Sequence, residues 1–139
     1  MPDVEFFRTP EYGEYLFNNL HYSQALKIGD RVEISGQGGW DNEFNFPESL
    51  EDEIVQAFDN VERTLATAGA RWRDVVAVYS YHIPDAPDSI GESHNRVMVE
   101  QFRRRMGDRA PLWTQTGVAA LGAPKMRIEI RVVAVLNQG

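Results

Sequence analysis

The chain has 139 residues, enough for the core of one domain and cramped for two. Its net charge of −7 disfavours nucleic acid as a partner, because binding a phosphate backbone draws on clustered Lys and Arg that release counterions. Hydrophobic residues make up 42% and charged residues 25%, an ordinary globular balance, and no apolar run approaches the roughly 20 residues of a membrane helix.

There is no cysteine to form disulfides or a thiolate metal site, and the start of the chain, with Asp3 and Glu5, lacks the basic-then-apolar order of a secretory signal. The expectation is a cytoplasmic protein of one domain over residues 1–139, with no membrane partner. Residues 1–20 are crowded with aromatics (Phe6, Phe7, Tyr12, Tyr15, Phe17) but show no long period, which predicts an edge strand and a packed loop. Ser23–Ile28 and Arg31–Gly36 read as two short strands joined at Gly29-Asp30. Gly36-Gln37-Gly38-Gly39 reads as a tight bend rather than a phosphate loop, since no Gly-Lys-Ser/Thr follows and the GxGxxG spacing is absent. Trp40 to Pro47 is a polar and aromatic loop.

Ser49, with Asp52 three positions on, is an N-cap pattern, and Ile54, Phe58, Val61, Leu65 and Ala68 recur at helical spacing until Gly69. Asp74–Ile83 is β-branched and aromatic, hence a strand that Pro84 ends. Pro87-Asp88-Ser89 opens a second helical segment in which Val99, Phe102 and Met106 share a face, with Gly107 as its stop. The basic run Arg103-Arg104-Arg105 at its end suits the helix dipole as a solvated face; a nucleic-acid site is the other reading. His82 and His94 have no third ligand at metal spacing and read as structural, so neither a metal nor another cofactor is expected.

The last two segments alternate. Met126, Ile128, Ile130, Val132 and Ala134 fall on one face, with Arg127, Glu129 and Arg131 on the other. Trp113 and Gln115 alternate with Leu112, Thr114 and Thr116, and Leu121-Gly122-Ala123-Pro124 is a turn between the segments. If these strands pair, Trp113, Gln115 and Glu129 share one wall. Six strands and two helices give an α+β fold, a six-stranded mixed sheet with two helices on one face. The uncovered face predicts an oligomer.

Tyr22-Ser23-Gln24-Ala25, Ser35-Gly36-Gln37, Phe58-Asp59-Asn60-Val61, His94-Asn95 ahead of Phe102, and Pro111…Thr114…Ile128-Glu129-Ile130…Ala134-Val135 together resemble the YjgF / reactive intermediate deaminase (Rid) family, also called the L-PSP endoribonuclease family. The resemblance implies a chorismate-mutase-like fold, a homotrimer built round a central barrel of sheets, and small-molecule pockets at the subunit interfaces. In the family's deaminases an arginine of a Pro-x-Arg-Ser/Thr motif grips the carboxylate of a 2-imino or 2-enamino acid, while a glutamate positions the hydrolytic water. Carried over residue by residue, Tyr22 matches the family's tyrosine, Asn95 its asparagine and Glu129, allowing one extra residue in the Leu121–Lys125 turn, its glutamate. Glu129 is then the catalytic residue, and Gly36, Trp113, Thr114 and Gln115 join Tyr22 and Asn95 in the substrate-binding set.

The arginine does not match: the motif here is Pro111-Leu112-Trp113-Thr114. Loss of a bidentate Arg–carboxylate contact removes on the order of 2–5 kcal/mol of binding to a small anionic imine. An indole offers an apolar face and one N–H, which implies an uncharged or aromatic ligand. Arg127 and Arg131, each about 7 Å along the strand from Glu129, are either substitute anchors or partners of acidic neighbours. Glu129 itself is either a water-orienting base or an ion-pair partner. Three functions follow: hydrolysis of an imine or enamine C=N bond, non-catalytic binding by a trimeric pathway accessory, and RNA cleavage, which the acidic balance opposes.

Overall fold

The computed structural model describes residues 3–138. Its elements are β1 (Val4–Phe7), α1 (Tyr12–Leu20), β2 (Ala25–Ile28), β3 (Arg31–Ile34), α2 (Leu50–Thr67), a 3-10 turn (Trp72–Asp74), β4 (Val75–His82), α3 (Glu92–Met106), β5 (Leu112–Gly117) and β6 (Ile128–Val135). They form a six-stranded mixed sheet in the order β1-β2-β3-β6-β4-β5. Only β4 and β5 run parallel. A parallel pair needs a crossover, and α3 supplies it.

The period that predicts α2 is the period that buries it. Ile54, Ala57, Phe58, Val61 and Leu65 are all fully buried against the sheet. The Ser49 hydroxyl accepts a hydrogen bond from the Asp52 amide at 3.0 Å, and Glu51, Asp52 and Glu53 place negative charge on the first turn, where the helix dipole favours it. Phe58 stacks on Trp72 at 4.8 Å and meets Phe102 of α3 edge-on at 5.6 Å, so the two long helices and the sheet share one core.

Two expectations are corrected. The segment read as a packed loop contains a third helix, α1, which starts at Glu11 with a φ of 69° and no side-chain cap. It is held by tertiary contacts: Tyr12 and Leu16, one turn apart, are buried with Trp40 and Met126 in a second apolar cluster. The Tyr12 hydroxyl donates to Gln37 Oε1 at 2.6 Å. The second correction concerns the last two strands, which are not neighbours. β6 pairs with β3 and β4, β5 pairs with β4 alone, and β4 lies between them. Residues 118–127 therefore span the width of a strand rather than making a hairpin turn.

Candidate functional site

Cross-strand partners share a face of a sheet, so the register decides which side chains meet. Glu129 pairs with Tyr81, and Trp113 pairs with buried Val78. Residues 78 and 81 have opposite parity, and so Glu129 lies on the face without helices while Trp113 and Gln115 lie on the helix face. The single wall expected for Trp113, Gln115 and Glu129 is not formed within one chain. Thr114, opposite Tyr79, is exposed on the same face as Glu129.

Tyr22, Gly36 and Glu129 do come together. Gln37 and Ile130 exchange backbone hydrogen bonds of 2.8 and 2.9 Å, which draws Gly36 against β6. A Cβ on Gly36 would stand 2.6 Å from Glu129 Oε1, so a larger residue there displaces the Glu129 side chain. The glycine bend continues for a like reason at Gly39, where a Cβ would meet the Glu53 backbone oxygen of α2. Tyr22 and Glu129 line a cleft of about 740 Å³. Burial raises the pKa of Glu129 above the ordinary 4.5. It also raises that of Tyr22, with the charge of Glu129 adding to the effect.

The arginines beside Glu129 are engaged elsewhere. Arg127 Nε lies 2.7 Å from Glu53 Oε1, its backbone N–H donates to Glu53 Oε2 at 2.7 Å, and its guanidinium also donates to the carbonyls of Pro47 and Glu48. Glu53 is fully buried, so this pairing is what makes its charge tolerable there. Arg131 bonds Glu33 at 2.7 Å and lies over the Tyr79 ring. Both arginines therefore serve acidic neighbours in their own chain.

Most of the cleft wall comes from residues the sequence did not single out. Tyr15, Leu16 and Leu20 come from α1; Trp40, Phe44 and Phe46 come from the loop ahead of α2. The aromatic density of residues 40–46 was the available signal. Asp41 organises that loop, its Oδ1 accepting from the amides of Glu43 and Asn45 at 2.9 Å. Phe44 adopts a φ of 62°, unusual for a bulky side chain, and its ring lies 5.2 Å from Tyr15 and 5.8 Å from Trp40.

Across the sheet, Asn95, Trp113 and Gln115 end a buried hydrogen-bond chain. The Ile83 carbonyl can only accept, so His94 carries its proton on Nε2, 3.2 Å away. With neutral rings, His94 Nδ1 then accepts from His82 Nδ1–H at 2.9 Å, leaving His82 Nε2 to accept from the Ser80 hydroxyl at 2.8 Å. Ser80 Oγ in turn accepts the Trp113 indole N–H at 2.9 Å, and Gln115 Nε2 donates to Asn95 Oδ1 at 2.7 Å. Trp113 packs edge-on against Phe102 at 5.1 Å. The histidines are thus structural partners, and no group of three or more metal-binding side chains occurs among the described residues.

A family model described as "Endoribonuclease L-PSP" matches residues 16–136, close to the whole chain. The chain belongs to this family. It is 34% identical over 120 residues to the RutC family protein YjgH of Escherichia coli K12, a match spanning 86% of each chain. It is 34% identical over 121 residues to a 2-iminobutanoate/2-iminopropanoate deaminase of Dermatophagoides farinae, spanning 84% of this chain and 86% of that one. A solved structure of protein YjgH superposes with a TM-score of 0.77 at 27% identity, covering 96% of each chain. Together these confirm the YjgF/Rid resemblance and the α+β fold read from the ordered motifs.

Proposed function

We propose that this protein hydrolyses the C=N bond of an imine or enamine that is uncharged or aromatic rather than a small 2-imino acid. Glu129 orients and deprotonates the attacking water, and Tyr22 with the Gly36 backbone flanks the reacting carbon. The observation that carries this reading is a half-buried carboxylate, raised in pKa by desolvation, at one end of an aromatic cleft. A relative named as a 2-iminobutanoate/2-iminopropanoate deaminase supports the reaction type, though not the uncharged substrate. Tryptophan at the position of the family's carboxylate-gripping arginine, together with the engagement of Arg127 and Arg131, argues against a small anionic substrate.

The splitting of the predicted set supports a site shared between subunits. Tyr22, Gly36 and Glu129 form one half on the open face, while β5, an edge strand bearing Trp113, Thr114 and Gln115 with Asn95 beside it, offers the other half to a neighbouring copy. A homotrimer brings the two halves together. RNA cleavage, the activity in the family's description, suits this chain poorly. It is strongly acidic, and Arg105 of the basic run is held by Asp59 at 2.6 Å and Glu62 at 3.1 Å.

Glu129→Gln tests the assignment. The variant is expected to lose about 10²- to 10⁴-fold in turnover of freshly generated uncharged imines while still binding aromatic ligands. Turnover equal to wild type rejects Glu129 as the base, and absence of turnover by wild type across the panel leaves a trimeric small-molecule-binding protein as the reading.

A further inference from the structure

The charges and rings of the Glu129 cleft specify its ligand more closely. Glu43 and Lys125, both exposed on the cleft rim, offset one another, which leaves the half-buried Glu129 as its unbalanced charge. Its wall carries Tyr15, Phe44 and Phe46. The Phe44 ring meets Tyr15 at 53° and Trp40 at 51°, tilted rather than stacked. Aromatic faces attract a cation through their quadrupole, and they gain most where the cation leaves water. An anionic ligand meets the opposite balance here, with repulsion from the half-buried Glu129 carboxylate.

We infer that the cleft is built for an organic cation: a protonated imine, or the ammonium of an amine, carried on an apolar body that fits among Tyr15, Phe44 and Phe46. The inference rests on the reading that the Glu129 cleft is the ligand site, and it adds that the imine, uncharged when free, is held there in its nitrogen-protonated form. The chemistry balances. Water adds its oxygen to the carbon of an iminium, the C–N bond breaks, and the products are a carbonyl compound and ammonium. One positive charge enters on the iminium nitrogen; addition of water deprotonated by Glu129 gives a neutral carbinolamine, and return of that proton to nitrogen lets the C–N bond break with the charge again on the leaving ammonium. The net charge of −7 draws cations to the molecule as a whole.

Three water-soluble probes of near-equal size separate the alternatives: benzylammonium, benzyl alcohol and benzoate, titrated calorimetrically into the full-length protein. Benzylammonium is expected to bind about tenfold more tightly than benzyl alcohol, with benzoate the weakest. Glu43→Gln, in an exposed loop, should narrow that preference about threefold without altering the fold, and Phe44→Leu should narrow it further. Benzyl alcohol or benzoate binding as tightly as the cation overturns the inference, as does failure of all three to bind. Hydrolysis of uncharged imines, measured separately, then shows whether the imine-hydrolase reading stands without it.

Discussion

At Glu129 the decisive quantity is how far the carboxyl has been taken out of water. Burial favours its neutral form, and neither neighbouring arginine offsets this, because both are bonded to other carboxylates. Proton abstraction from water needs the ionised form. Turnover should therefore fall as pH drops through a value above the ordinary glutamate 4.5, the raised pKa placing the base nearer the working pH. A kcat/KM profile for an uncharged imine measures this directly. An acid limb at or below 4.5 removes burial as the tuning device. Gly36 belongs to the same residue-scale argument: it lies beside the Glu129 carboxylate, and a Cβ there would push that carboxylate out of its place. Tyr22, Gly36 and Glu129 were legible as a group because each lies in a short ordered motif. The aromatic wall was not, since its rings come from α1 and from residues 40–46 and meet only once the chain has folded.

Among the elements, β4, α3 and β5 are tied by the His82–His94 chain, and its protonation state makes a prediction about stability. Burial, reinforced by His94, lowers the pKa of His82 from 6.5 to about 3. His94 is lowered as well, chiefly by burial, with Asp85, Glu53 and its hydrogen bond to Ile83 opposing and Arg127 assisting. The unfolded chain therefore takes up protons below pH 6.5 that the folded chain resists, so stability is full above that pH and declines as pH falls toward 3. Between pH 6.5 and about 5 ordinary carboxylates keep their charge. Glu129, its pKa raised by burial, opposes the trend as it protonates, so the histidines are read from the difference between wild type and His82→Gln over that interval. The urea midpoint should fall over that interval in the wild type and far less in His82→Gln. Midpoints that vary with pH alike in wild type and His82→Gln reject the neutral-pair assignment. The same elements show what sequence patterns can fix. The cap and period of α2 determined it locally. The alternation of β5 and β6 fixed which residues face together but not which strands adjoin, and the crossover through α3 placed β4 between them. The uncapped α1 escaped because Tyr12 and Leu16 stabilise it by burial rather than through its own sequence.

On the scale of the whole molecule, the sheet face opposite α2 and α3 must be accounted for. Leu112 is 76% exposed and Phe6 65% exposed, at the two edges of that face, and Tyr79 lies between them under Arg131. Apolar side chains at both edges of one sheet suit association of each copy with two others, edge to edge, in a closed ring. Light scattering should then give three times the chain mass of 15.8 kDa. If the β5 edge meets a neighbour in that ring, Leu112→Lys places a charge in the contact and should shift the protein to smaller species without loss of secondary structure, since Leu112, 76% exposed, contributes little to its own core. If Glu129 and the β5 residues act on one ligand only across that contact, turnover must fall with the trimer fraction and recover at protein concentrations that restore it. Concentration-independent turnover by a dissociated Leu112→Lys protein would place the complete site within one chain, and a trimer that survives the substitution would remove the β5 edge from the interface.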